Sequence, residues 1–130
     1  MPNRANDWLA QAEFDLQHAR RSRDAGDHEW ACFAAQQAAE KACKGLHFHL
    51  RQEPPWTHSV ATLLRLLAES GTVPGALIEK AQAVDDFYIP ARYPDSHPEG
   101  APHGHYGPFQ SNIAIDCATE IIAYIRSEMA

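Results

Sequence analysis

The chain has 130 residues, 11 Lys and Arg against 17 Asp and Glu, a formal charge of −6 and a hydrophobic fraction of 45%. That is the size and composition of a single globular domain, so residues 1–130 are expected to form one fold, and disorder as the overall state is excluded. The acidic balance excludes a general electrostatic hold on nucleic acid, so contact with RNA or nucleotide would need a local basic site.

Residues 1–20 carry Arg4, Asp7, Glu13 and Asp15, which interrupt any apolar core of a signal peptide. No stretch reaches the ~18 apolar residues of a membrane span. A cytoplasmic protein with no membrane contact is the expectation. The first helix is predicted from Asn3 to Asp24, with Ala5, Leu9, Ala12, Leu16 and Ala19 in one stripe and Trp8 beside it. Gly26 breaks the pattern, and Asp27 can cap the next helix.

The second helix, about His28 to Leu50, is apolar over most of its circumference, from Trp30 and Ala31 through Cys43 and Leu46. Gln36, Gln37, Glu40, Lys44 and His47 keep to a narrower polar sector, with Lys41 at its edge. A helix apolar on most sides is buried on most sides, so this one is expected to be the central post. The same excess of apolar surface predicts a homodimer, with alanine faces suited to close contact across a two-fold axis.

Pro54-Pro55 ends that segment, and Thr57 is the predicted cap of a third helix from about His58 to Glu69. Val60, Leu63, Leu64 and Leu67 form its stripe, and Gly71 stops it. A fourth helix follows Pro74, with Leu77, Ala81, Val84 and Tyr88 as its stripe and Pro90 closing it. Residues 89–108 contain five prolines and no helical pattern. The last helix is predicted from Phe109 to Met129, with Ala114, Cys117, Ala118, Ile121, Ile122 and Ile125 inward. The fold class is therefore all-α: an antiparallel up-and-down bundle of about five helices, with a long Pro-rich loop before the last. Bundle connections usually take ~2–8 residues, so a loop this long points to function. Its prolines and aromatics argue for order, with Tyr93 and Tyr106 packed on the bundle.

Trp8 with Asp15-Leu16, the run Phe33-Ala34-Ala35-Gln36-Gln37-Ala38-Ala39-Glu40-Lys41 with Lys44, His58 opening the third helix, and Tyr88-Ile89-Pro90-Ala91-Arg92-Tyr93-Pro94-Asp95 together resemble the HEPN domain family over nearly the whole chain. The resemblance implies an all-α bundle, usually dimeric, and frequent pairing with a minimal nucleotidyltransferase, often as a toxin–antitoxin couple. Many members are metal-independent endoribonucleases with Arg, four to six residues, then His. Others bind nucleotide or a partner without catalysis.

Arg92 and His97 have four residues between them. Cleavage of RNA through its 2′-hydroxyl needs a group that exchanges protons near neutrality, which His97 supplies. It also needs a fixed cation for the phosphate charge, which Arg92 supplies with a bidentate fork. The plainer alternative pairs Arg92 with Asp95 and leaves His97 solvated in the loop. Five extended residues span about 17 Å, so the pair converges only if the loop turns sharply or two subunits meet.

Gln37, Glu40, Lys41 and Lys44 are three and four residues apart, neighbours on one helix surface. With Arg92, Tyr93 and Asp95 they form the candidate nucleotide- or partner-binding set. The alternative is an intrahelical Glu40–Lys44 pair among satisfied buried groups. Asp15 is expected to be a hydrogen-bonding partner. The loop histidines do not make a framework metal site, and no metal or cofactor is expected. Cys32, Cys43 and Cys117 form no C-x-x-C pair. The first two, on one helix roughly 16 Å apart, are out of disulfide reach.

Overall fold

A computed structural model describes residues 3–130. Helix α1 spans Ala5–Asp24, α2 His28–His49, α3 Val60–Ala68, α4 Gly75–Asp85 and α5 Pro108–Met129. No strand occurs among the described residues, in keeping with the absence of period-two patterning. α1 starts two residues later than its pattern suggests because the Asn3 side chain accepts a hydrogen bond from the Ala5 amide at 2.9 Å, a cap rather than a first turn.

α2 is the central post. It packs on α1, α3, α4 and α5, and Ala31, Cys32, Ala35, Ala38, Ala39, Ala42 and Cys43 have no exposed surface. Gly45 lets α1 close on it: a Cβ there would lie 3.2 Å from the Trp8 Cβ and 3.3 Å from the Ala5 carbonyl oxygen. Leu63 and Leu64 of α3 and Ile121, Ile122 and Ile125 of α5 are fully buried around the post. Each contributes about 1.5–3 kcal/mol of burial energy. Deep burial pushes the Cys32 thiol up to about 12 and raises the Cys43 thiol as well. Neither thiol is activated.

The polar sector of α2 is buried too, as one of the two sequence readings has it: Gln36, Glu40 and His47 are all within the core. His47 donates from Nε2 to the Leu63 carbonyl at 3.1 Å, and burial lowers its pKa. A histidine kept neutral when folded takes up a proton only on unfolding, so stability falls as pH drops below the ordinary value of 6.5. The expected slope approaches about 1.4 kcal/mol per pH unit until the lowered folded pKa is reached. Urea titrations of wild type and His47→Gln between pH 7 and 5 check this. The slope should be shallower in the variant.

Because α2 is sheathed by its own chain, the excess apolar circumference that predicted a dimer is used up internally. Trp30 is the exception, 54% exposed at the first turn of α2, where it packs edge-on against Phe33.

α3 and α4 are shorter than their patterns. Thr57 accepts from the Ser59 amide, and Ser59 is the cap, accepting from Thr62 at 3.1 Å. α4 stops at Asp85, and the chain continues through turns that place Tyr88 off the helix. The loop holds two single 3-10 turns, Pro94–Ser96 and Pro102–Gly104. Tyr106 packs on the core beside Phe87, as the aromatic content suggests. Tyr93 does not. It is 48% exposed, and its ring meets Arg92 instead.

Candidate functional site

The polar face of α2 meets the N-terminal end of α3 and the turn after α4. Gln36 Nε2 donates to the His58 carbonyl at 2.8 Å and reaches Asp85 Oδ1 at 3.4 Å. Gln37 Nε2 donates to Gln36 Oε1 at 2.8 Å and lies 3.4 Å from Glu40 Oε1. Lys44 Nζ donates to Glu40 Oε2 at 2.9 Å, with side chains only 16% and 7% exposed. His58 Nδ1 lies 3.3 Å from both Glu40 oxygens. A carboxylate only accepts, so Nδ1 carries the hydrogen.

Asp85 closes the other side. It accepts from the amides of Val60 at 2.9 Å and Ala61 at 3.0 Å and from Ser59 Oγ at 3.1 Å. A carboxylate at a helix N-terminus satisfies orphan amides and complements the positive end of the dipole. The last residue of α4 thus fixes the start of α3, two residues after His58.

Above this network is an aromatic surface. The His58 ring stacks on Tyr88 with centroids 4.8 Å apart and planes 18° apart, and Tyr88 is 6.1 Å from Phe33. The Arg92 guanidinium carbon is 4.3 Å from the Phe33 centroid, 4.6 Å from Tyr88 and 5.1 Å from Tyr93. Arg92 Nε donates to the Tyr88 carbonyl at 2.8 Å. Its terminal nitrogens have no hydrogen-bond partner among the described residues. Three rings and one anchored nitrogen hold the fork in place.

The structure therefore joins Gln37, Glu40 and Lys44 in one network, with Arg92 and Tyr93 on the adjoining aromatic surface. Lys41 departs from this set. Its ammonium pairs with Asp15 of α1, and it lines a groove with Trp8, Gln11 and Phe14 of α1. Asp15 is the hydrogen-bonding partner expected, also accepting from Gln11 at 2.8 Å. Asp95 is exposed and makes no ion pair with Arg92. The glutamate–lysine pair expected from spacing is present, but as a buried pair.

His97 has different company from Arg92. Its Nε2 donates to the Pro90 carbonyl at 2.7 Å, its ring stacks on His105 at 4.2 Å, and Tyr106 meets it edge-on. His105 Nε2 donates to the Glu99 carbonyl at 2.6 Å. Gly100 allows this, with φ of +81° and only 3.1 Å between a would-be Cβ and His105 Nε2. His97 is a structural member of the loop, not a solvated residue, and no hydrogen bond joins it to Arg92 among the described residues.

Local sequence reasoning missed Asp85 and the role of His58. Phe33 and Trp30, one turn apart on an otherwise alanine-rich face, were the available signal for the aromatic surface. Among the described residues no group of three or more His, Cys, Asp or Glu is placed to hold a metal ion. No helix there is long and apolar enough to cross a membrane.

The sequence model of the HEPN domain family matches residues 5–128. The crystal structure of a Thermus thermophilus protein superposes with a TM-score of 0.93 at 48% identity, covering 98% of this chain and 99% of that one. An archaeal HEPN homologue gives 0.84 at 36% identity, over 100% of both chains. An HEPN domain protein of Thermotoga maritima gives 0.75 at 29% identity, covering 93% of this chain and 95% of that chain. Among curated proteins, none matches.

Proposed function

The chain belongs to the HEPN domain family, and from that premise we propose that it is a nucleotide- or RNA-recognising module of a two-component system, working in the cytoplasm with a minimal nucleotidyltransferase in a toxin–antitoxin-like couple. The observation that carries this reading is the Arg92 fork, caged by Phe33, Tyr88 and Tyr93 with both terminal nitrogens free. A guanidinium so held offers two parallel donors to a phosphate, while the exposed Tyr93 offers a ring face to a base. This is the local basic site that a chain of charge −6 needs. The endoribonuclease reading through Arg92 and His97 rests on their spacing, since the two side chains hydrogen-bond to different carbonyls.

The module is read as a homodimer. The support is now the exposed apolar set Trp30, Phe109 and Ile113 rather than the alanine face of α2.

Fluorescence anisotropy with a short single-stranded RNA at low salt tests recognition. Arg92→Ala should weaken binding by about tenfold or more, the loss of a charge-assisted pair and a stacking face. Arg92→Lys should not restore it, because an ammonium lacks the planar fork. Unchanged affinity in both variants would remove this reading.

A further inference from the structure

We infer that the end of the bundle where α2, α3 and α5 terminate is a binding site for a linear aliphatic diamine, one ammonium received beside His47 and the methylene chain laid on leucines. The site is separate from the Arg92 surface and does not depend on the recognition reading. His47 lies eleven residues past Gln36 on α2, about 16 Å along the axis.

A pocket of about 230 Å³ opens there, with His47, Gln52, Glu53, Glu69 and Ser70 in its wall. His47 is 2% exposed, and its Nδ1 is the one buried side-chain nitrogen or oxygen among the described residues that has no hydrogen-bond partner. The other ring nitrogen donates to the Leu63 carbonyl at 3.1 Å. Nδ1 is therefore a bare lone pair, which takes a donor. Gln52 stands beside the ring, but its Nε2 is given to Ser70 Oγ at 3.2 Å. Its amide oxygen is a further acceptor. Glu53 and Glu69 add two carboxylates, and neither belongs to an ion pair among the described residues.

The backbone shapes this wall. Arg51 has φ of +60°, a left-handed conformation that residues other than glycine rarely adopt. The Gln52 amide donates back to the His47 carbonyl at 2.9 Å, so the chain folds across the end of α2 and brings Gln52 and Glu53 to the pocket.

With the Gln52 donor engaged, the pocket presents mainly acceptors, so its guest carries donors and positive charge. The helices agree. α2, α3 and α5 end at His49, Ala68 and Met129, and the C-terminal ends of their dipoles favour a cation. No three His, Cys, Asp or Glu among the described residues are placed to hold a metal ion. The charge must arrive with its own hydrogens, as on an ammonium. A second pocket, of about 140 Å³, shares Ser70 with the first and is lined by Leu46, Leu50 and Leu67 together with Glu128 of α5. Methylenes crossing Ser70 meet those leucines, and a second ammonium meets Glu128.

The test titrates the full chain near neutral pH with pentamethylenediamine, and with pentylamine and pentanediol as controls, by calorimetry. The diamine should bind saturably with a Kd of about 1 mM or tighter, pentylamine about tenfold more weakly and the diol not at all. The diamine should also raise the thermal midpoint and move the His47 Nδ1 resonance in nitrogen-15 spectra. Glu53 and Glu69 are exposed, so Glu53→Gln and Glu69→Gln keep the fold. Each should weaken the diamine by about fivefold. Asp24→Asn removes the same charge at the opposite end of the bundle, beside the start of α2, and should stay within about twofold of wild type. Four results would overturn the inference: no saturable binding of the diamine, pentylamine binding as tightly, an Nδ1 resonance unmoved at saturation, or Asp24→Asn weakening binding as much as Glu53→Gln. The last would reduce the effect to general attraction by a chain of charge −6.

Discussion

Asp85→Ala is expected to lower stability by about 3 kcal/mol, seen as a fall of roughly 10 °C in the thermal midpoint. The carboxylate accepts from Val60 N, Ala61 N and Ser59 Oγ at 2.9 to 3.1 Å and from the Gln36 amide at 3.4 Å. An ordinary cap deletion costs about 1 kcal/mol, but here two amides and two side chains lose a charged acceptor at once. α3 is only nine residues long, too short to persist without tertiary support. Asp85→Asn keeps one oxygen but turns an amide donor towards the other N–H groups, so it should fall between wild type and alanine. A midpoint within about 3 °C of wild type for Asp85→Ala would show that Ser59 alone suffices as the cap. The loss should reach the site as well, since α3 begins two residues after His58.

The origin of that prediction marks how far the sequence could be read. The helices were legible because each carries a stripe of apolar residues at helical spacing, and α2 was legible as the post because its alanines run nearly all round. Asp85 was not. Its role depends on α4 ending where it does and on α3 starting beside it, a contact 24 to 26 residues long in sequence. Pattern favoured Thr57 as the cap and ran α4 on to Tyr88, because periodicity says where a helix can form rather than where a tertiary acceptor will stop it. Tyr88 lay on the predicted stripe but sits off the helix, over His58. The site was half legible for the same reason. Spacing on one helix gave Glu40 with Lys44, and the local signature gave Arg92 with Tyr93. Lys41 shares that stretch of sequence yet turns to Asp15 on α1, because a step of one residue rotates a side chain by about 100° around the axis. Arg92 and His97, five positions apart, were paired by sequence distance. The loop folds His97 back onto Pro90 and His105 instead, a path set by prolines, Gly100 and ring stacking that no helical period encodes.

Glu40→Ala carries the other large effect, an expected loss of about 3 kcal/mol, and the partner it leaves behind explains why. Glu40 and Lys44 are 7% and 16% exposed and 2.9 Å apart, so neither charge is well hydrated. The pair itself adds little to stability, since desolvating both charges offsets most of their attraction. Removing one partner is different. Alanine leaves the Lys44 ammonium without its acceptor, strips Gln37 and His58 of theirs, and opens a space in the centre of the bundle. The flexible Lys44 stem can carry its charge part of the way to solvent, which keeps the loss below that of a fully enclosed ion. The double variant Glu40→Leu with Lys44→Met discriminates between these causes. It removes both charges and refills the space, so it should be more stable than Glu40→Ala by about 1–2 kcal/mol in urea denaturation. A double variant no better than the single one would mean that Glu40 acts chiefly through Gln37 and His58, whose bonds both variants lack. The polar stripe that crosses the core would then be maintained for the imidazole it orients, at the expense of packing.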